Sequence, residues 1–97
     1  MKIYDKASWH IDNGEQATIV IARFRELFVF LKEKMMLNVD GIETLEYAMD
    51  SSVSLNSTML NSEGKNFLDR YYDEIIAWNA SEIKKNLHLA YGKYRAE

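Results

Sequence analysis

The longest helical pattern in the chain is carried by residues 17–35, which read ATIVIARFRELFVFLKEKM. Apolar side chains recur there at three- and four-residue steps, which lines one face of an α-helix. They are Ala17, Val20, Phe24, Leu27, Phe28, Leu31 and Met35. The spacing predicts an amphipathic helix over residues 14–37. Further apolar residues lie off this face, so the helix is predicted to be central in the fold or part of a dimer interface; they are Ile19, Ile21, Val29 and Phe30.

Signals for helix starts precede this segment and recur after it. Asn13 with Gln16 and Asp40 with Glu43 have the spacing of capping boxes, and Asn61 can cap a further helix. These signals predict helices over residues 41–50, 62–79 and 82–95, with residues 51–61 as a loop. The pattern leaves open whether residues 62–96 form one helix or two. No internal repeat is expected.

The first twelve residues follow a different pattern. Ala7, Trp9 and Ile11 alternate with polar residues, which is typical of an extended segment with one buried face. We therefore predict an extended arm over residues 1–12, packed on the helices with Trp9 as its anchor. With 97 residues, the chain is predicted to form a single domain, an all-α fold of three to four helices with this N-terminal arm.

The composition excludes several classes of function. The chain has no cysteine, which excludes a disulfide scaffold, a thiol nucleophile and a cysteine-based metal site. Neither His10 nor His88 has further ligands at metal spacing, so no metal or cofactor is expected. Asp69 and Asp73 share a helical face, but nothing in the sequence places them in a pocket. The prediction is that the protein is not an enzyme.

Charge is distributed unevenly along the chain. The net charge is −3, whereas residues 40–74 hold eight acidic and two basic residues and so carry −6. An acidic surface would attract a basic protein partner and argues against binding to nucleic acid, while a merely solvated helix face is the alternative. No apolar run is long enough to cross a membrane and the N-terminus lacks the pattern of a signal peptide, so we expect a cytoplasmic protein without membrane contact.

The pair Tyr71-Tyr72 adds a candidate contact to the acidic region. Adjacent residues of a helix cannot both point inward, and Tyr71 fits the apolar stripe of the third predicted helix. We therefore expect Tyr72 to lie outside the core, beside Asp73. Tyrosine is enriched at interface hot spots, so an exposed Tyr72 would suit protein binding.

Two stretches of the sequence resemble a family of small uncharacterised bacterial proteins that is known only as a domain of unknown function. Residues 4–10 read YDKASWH and residues 67–73 read FLDRYYD. The resemblance implies no established activity, although its members look like the immunity proteins that accompany bacterial toxins. It suggests that the arm docks on the third predicted helix through Trp9, with polar contacts from Asp5 or His10. The candidate binding residues are Asp5, Trp9, His10, Asp69, Tyr72 and Asp73.

Three functions are consistent with these observations. The leading prediction is a non-enzymatic protein-binding module of immunity type, which presents its acidic region, residues 40–74, to a basic partner such as a toxin domain. The second is a small-molecule-binding domain with a pocket between the arm and the third predicted helix. The third is a structural homo-oligomer, such as a homodimer, built through the surplus apolar face of the first predicted helix.

Overall fold

The computed structural model of the protein describes residues 1–77 and 82–97. Within these residues the chain forms five α-helices and a two-stranded antiparallel sheet, with a short 3-10 turn at Ser57–Met59. The elements in chain order are β1 (Ile3–Lys6), α1 (Ala7–Asp12), α2 (Ala17–Glu33), α3 (Val39–Tyr47), β2 (Ser54–Asn56), α4 (Ser62–Ala77) and α5 (Ile83–Arg95). The fold is therefore predominantly helical, and the prediction of a purely all-α fold is corrected by the sheet.

Helix α2 carries the centre of the core, as its apolar pattern predicts. It buries Val20, Phe24, Leu27, Phe28 and Leu31, together with Phe30 from the off-stripe set. The helix is shorter than the predicted 14–37, because Gly14 has a φ of +97° and Gln16, the N-cap, is extended and makes no side-chain capping bond. The predicted capping box of Asn13 and Gln16 is therefore wrong.

The N-terminal arm differs most from its prediction. Strand β1 pairs with β2, with Ile3 opposite Asn56 and Lys6 opposite Ser54, so part of the predicted loop is a strand. The chain then turns into helix α1 instead of remaining extended to residue 12. On a helix, residues two apart point in nearly opposite directions, so Ala7 is fully buried while Trp9 is 49% exposed. Trp9 is not the anchor of the arm.

Residues after 61 form two helices that pack against each other, which resolves the choice that the pattern leaves open. Asn61 accepts a hydrogen bond from the Gly64 N–H at 2.9 Å, which confirms the predicted cap of α4. Phe67 of α4 stacks on Phe30 of α2 with ring centroids 6.3 Å apart, and this contact joins the helices to the core. The end of the predicted helix 62–79 lies outside the described residues, as does Ser81, which the sequence suggests as a cap for the helix predicted over 82–95.

Helices α3 and α4 begin with a short repeat that was not expected. Residues 36–41 read MLNVDG and residues 59–64 read MLNSEG. The Asn38 N–H donates to the Met59 carbonyl and the Asn61 N–H donates to the Met36 carbonyl, both at 3.0 Å. We call these two segments the paired caps. Asn38, rather than the predicted Asp40, is the N-cap of α3, because its side chain accepts from the Gly41 N–H at 3.0 Å.

The paired caps need a glycine at their last position. A Cβ on Gly41 would lie 2.4 Å from the Met59 carbonyl oxygen, and a Cβ on Gly64 would lie 2.5 Å from the Met36 carbonyl oxygen. Both obstacles are backbone atoms, which cannot rotate away. The two helix starts can therefore approach each other only because neither glycine carries a side chain.

Candidate functional site

A buried carboxylate joins the N-terminal segment to helix α4. Asp5 is 4% exposed, and its Oδ2 accepts a hydrogen bond from the Tyr72 hydroxyl at 2.5 Å. The Lys6 backbone N–H donates to Oδ1 at 2.8 Å, and His10 Nε2 lies 2.8 Å from both carboxylate oxygens. A buried carboxylate is costly without such partners, so Asp5 holds β1, α1 and α4 in a fixed arrangement.

The network continues from His10 to helix α2. Nδ1 of His10 lies 3.0 Å from Oε2 of Glu15, and the other oxygen of Glu15 bonds to Arg23. A neutral imidazole has one N–H, so only the protonated ring can donate to Asp5 and Glu15 at once. Burial raises the pKa of Glu15, but the hydrogen bonds from Arg23 and His10 outweigh it and leave that pKa below its usual value.

A second polar contact lies beside the first. Tyr4 donates a 2.6 Å hydrogen bond to Oδ1 of Asp69, and Lys2 Nζ lies 3.0 Å from the same oxygen. The hydrogen bonds from Tyr4 and Lys2 lower the pKa of Asp69. The pKa of Tyr72 lies well above its usual value, and burial is the main cause. The negative charge of Asp5 and the hydrogen bond to Asp5 raise it further. The Tyr4 and Tyr72 rings lie 6.2 Å apart, so the two contacts form one continuous region.

Four of the six candidate binding residues thus meet in one region. His10 and Tyr72 each bond to Asp5, and Asp69 joins them through Tyr4, whose ring contacts that of Tyr72. Asp5 makes the polar contact to α4 that the docking hypothesis requires. Trp9 lies outside the region with its ring 5.9 Å from Lys6 Nζ, and Asp73 is exposed on the surface of α4.

The predicted exposure of Tyr72 is wrong. Tyr72 is only 6% exposed, and Tyr71 is half-buried. The prediction assumes that a single face of α4 is covered, but the N-terminal segment covers a second face and supplies Asp5 as the acceptor for the Tyr72 hydroxyl. Tyr4, Asp5 and Tyr72 fill the place where the predicted small-molecule pocket would lie.

A concavity of about 540 Å³ adjoins this network on its α2 side. Glu15, Arg23 and Ile83 are among the residues that line it, and Arg23 Nε is buried without a hydrogen-bond partner among the residues that the structure describes. This concavity is not the pocket between the arm and α4 that the sequence suggested. No group of three or more metal-binding side chains occurs among the described residues, and no described helix is long and apolar enough to cross a membrane.

The acidic residues of the 40–74 region differ in their pairing. Three of the four on α4 are paired, Asp69 with Lys2 at 3.0 Å, Glu74 with Lys93 at 3.1 Å and Glu63 with Arg95 at 4.0 Å, whereas the exposed Asp73 makes no ion pair with a described residue. In α3, by contrast, Asp40, Glu43 and Glu46 are exposed and make no ion pair with any residue that the structure describes. No lysine or arginine occurs between Lys34 and Lys65. Of the five carboxylates of this region without an ion pair to a described residue, three lie on α3 and the other two are Asp50 and Asp73.

Large apolar and aromatic side chains are exposed in the same part of the chain. Tyr47 is 83% exposed, Val39 69% and Met35 80%. Tyr47 lines an open concavity of about 350 Å³ together with Asp40, Glu43, Thr44 and Ala48. We call the following exposed residues of α3 the α3 surface: Val39, Asp40, Glu43, Glu46 and Tyr47.

Sequence reasoning missed the aromatic and apolar part of the α3 surface. The signal was present, because Tyr47 lies off the apolar side formed by Ile42 and Leu45 and the region around it contains no basic residue. The sequence prediction favours Tyr72 instead, although Tyr47 follows Glu46 as directly as Tyr72 precedes Asp73.

The chain matches no family model, no curated protein and no solved structure. The resemblance of the YDKASWH and FLDRYYD stretches to a family of uncharacterised bacterial proteins therefore stays a prediction.

Proposed function

We propose that the protein is a non-enzymatic binding module whose α3 surface docks onto a basic segment of another protein. The observation that carries this proposal is the grouping of Asp40 and Glu43 with the exposed ring of Tyr47 around one open concavity. The binding surface of the leading sequence prediction, which covers residues 40–74, is thereby narrowed to α3.

Charge complementarity supports a basic partner. Three of the four carboxylates of α4 are paired with cations of the chain, so a partner would have to displace those cations first. The carboxylates of α3 face no such competition within the described residues. A lysine or arginine side chain in the concavity would meet two carboxylates and the face of Tyr47, which adds a cation–π attraction.

The immunity-type role belongs to the same proposal. A basic toxin domain is a partner of the required charge, and the cytoplasm is where an immunity protein would meet it. A homodimer through α2 and a small-molecule site are the alternatives. Of the surplus apolar set Phe30 lies in the core while Ile19 and Val29 are exposed, and the arm–α4 contact is filled by side chains.

A defined peptide tests the proposal. We choose a synthetic amphipathic helix with leucine on one face and lysine on the other, titrated into labelled protein and followed through backbone amide shifts. The expected shifts lie at residues 39–48. The double variant Glu43→Gln/Glu46→Gln should weaken binding several-fold, and added salt should weaken binding to the unaltered protein.

The matched control is Glu63→Gln/Glu74→Gln, which changes the net charge by the same amount on α4. It should leave the affinity near that of the unaltered protein. Equal weakening by both double variants would mean that the peptide senses net charge alone, and shifts centred on α4 or α5 would overturn the proposal.

A further inference from the structure

The outer face of helix α2 carries a seven-residue repeat. Residues 22–28 read ARFRELF and residues 29–35 read VFLKEKM. Each unit begins with an apolar residue and has a basic residue at its fourth position and an acidic residue at its fifth. These six residues are all exposed: Ala22, Val29, Arg25, Lys32, Glu26 and Glu33. The repeat therefore lies on the side of α2 that the fold leaves uncovered.

The charges of the repeat are separated by sign. Each residue of an α-helix advances by about 100°, so positions three and four residues further on lie on opposite sides of the starting residue. Arg25 and Lys32 thus form a basic edge on one side of the apolar line of the repeat, and Glu26 and Glu33 form an acidic edge on the other. None of the four makes an ion pair with a residue that the structure describes.

A groove between α2 and α5 runs along the acidic edge. The concavity of about 540 Å³ described above has Ala22, Glu26 and Ile83 in its wall. A second concavity, of about 200 Å³, has both Glu26 and Glu33 in its wall. Lys84 of α5 also lines the second concavity, but it forms no ion pair with either glutamate. The acidic edge therefore offers two carboxylates beside a hollow that a long cationic side chain can enter.

We propose that two copies of the chain pair through the outer face of α2, with the two helices parallel and related by a two-fold axis along their length. Such an axis places the basic edge of each copy against the acidic edge of the other, so Arg25 meets Glu26 and Lys32 meets Glu33 across the interface. The aliphatic parts of the basic side chains would cover the apolar wall of the groove. A two-fold antiparallel pair would instead place like charges together. This surface is distinct from the α3 surface, so the inference does not depend on the proposed function.

Charge reversal tests the pairing. Contact through one 17-residue helix per copy is smaller than a standard interface of about 1,200–2,000 Å², so the dimer should be weak and is best followed by sedimentation equilibrium up to millimolar concentration. The variants Arg25→Glu/Lys32→Glu and Glu26→Lys/Glu33→Lys each give both edges one sign. Each alone should raise the dimer dissociation constant by about tenfold or more, and an equimolar mixture of the two should restore association. Circular dichroism checks that both variants are folded.

Single cysteines test the orientation, because the natural chain has none. In a parallel two-fold pair every position of the contact line faces its own copy, so Ala22→Cys and Val29→Cys should both form disulfide-linked dimers when glutathione disulfide is added. In an antiparallel pair only a position at the axis does so. The control is Asn66→Cys, exposed on α4, which should stay monomeric. Disulfide dimers of only one α2 variant, or as much dimer from Asn66→Cys, would overturn the parallel arrangement. An unaltered protein that sediments as a monomer at millimolar concentration would overturn the pairing itself, while the test of the α3 surface stands apart.

Discussion

The hydroxyl of Tyr72 donates a 2.5 Å hydrogen bond to the carboxylate of Asp5, and the two residues are 67 positions apart in the chain. Both side chains are buried, and His10 bonds to the same carboxylate from helix α1. The contact therefore fixes the N-terminal strand and helix on α4, at a place where neither hydropathy nor charge patterning would put a polar pair.

The substitution Tyr72→Phe is expected to destabilise the protein by about 1–3 kcal/mol. It removes one donor and leaves a buried oxygen of Asp5 with less compensation, and an unsatisfied buried polar group has a cost of this size. Urea denaturation measures the change. The control is Tyr71→Phe, whose hydroxyl bonds to the exposed Glu97, and it should change the free energy of unfolding by less than about 0.5 kcal/mol. Equal effects of the two variants would contradict the role given to Asp5.

The substitution Trp9→Ala is expected to have a modest effect despite the size of the side chain. Trp9 is 49% exposed and lies on the outer side of α1, so its removal creates no core cavity. We expect a loss of about 1 kcal/mol or less, compared with about 3–5 kcal/mol for a fully buried aromatic residue such as Phe67. Thermal unfolding of Trp9→Ala and Phe67→Ala compares the two. A loss of similar size in both would restore Trp9 as the anchor of the arm.

The helices were predictable because their signals are local. The stripe of α2 and the Asn61 cap depend on residues three or four apart, and both predict the observed element. Strand β1 has no such local signal, since its partner strand lies about fifty residues along the chain and is only three residues long. The alternation of Ala7, Trp9 and Ile11 predicts an extended arm, but the chain is helical there. Tertiary packing, rather than the local pattern, decides the secondary structure of such short segments.

The candidate site was predictable only in part, because local patterns identify its residues but not their distant partners. The sequence identified Asp5, His10 and Asp69 as polar residues of the arm and the third predicted helix, and the structure brings them near Tyr72. It could not show which acidic residues are paired, because Lys2, Lys93 and Arg95 reach α4 from distant positions. The charge remaining on α3 becomes visible only once those pairings are known.

Acid is expected to weaken the contact between Asp69 and the N-terminal strand. The pKa of Asp69 in the folded protein lies below its usual 3.8 because Tyr4 and Lys2 donate hydrogen bonds to it. A lowered folded-state pKa means that the stabilisation is present above the usual pKa and is lost as the pH falls through the folded-state pKa. The stability difference between the unaltered protein and Asp69→Asn should therefore shrink as the pH is lowered from about 6 to about 3.

Denaturation at several pH values measures this dependence. The variant Tyr4→Phe lacks the principal donor to Asp69, so its stability should depend less steeply on pH in the same range. Because Asp69 is half exposed, the effect is small and should also decrease at high salt. A difference between Asp69→Asn and the unaltered protein that stays constant down to the lowest pH would contradict the lowered pKa.

The paired caps give the sharpest prediction about the fold. Gly41→Ala and Gly64→Ala each place a methyl group within 2.4–2.5 Å of a backbone carbonyl oxygen, so the starts of α3 and α4 must separate. The two reciprocal hydrogen bonds of Asn38 and Asn61 would then lengthen or break. We expect each variant to lose several kcal/mol of stability, about the cost of an overpacked core site with lost hydrogen bonds. The control is Gly92→Ala in α5, where a Cβ meets nothing within 4 Å and should stabilise the helix by about 0.5–1 kcal/mol.

Because Asn61 also holds the Met35 carbonyl, amide exchange at Met35 and Met36 should quicken in Gly64→Ala and stay unchanged in Gly92→Ala. Protection retained at both amides in a destabilised Gly64→Ala would show that the turn at Met35 does not depend on the paired caps.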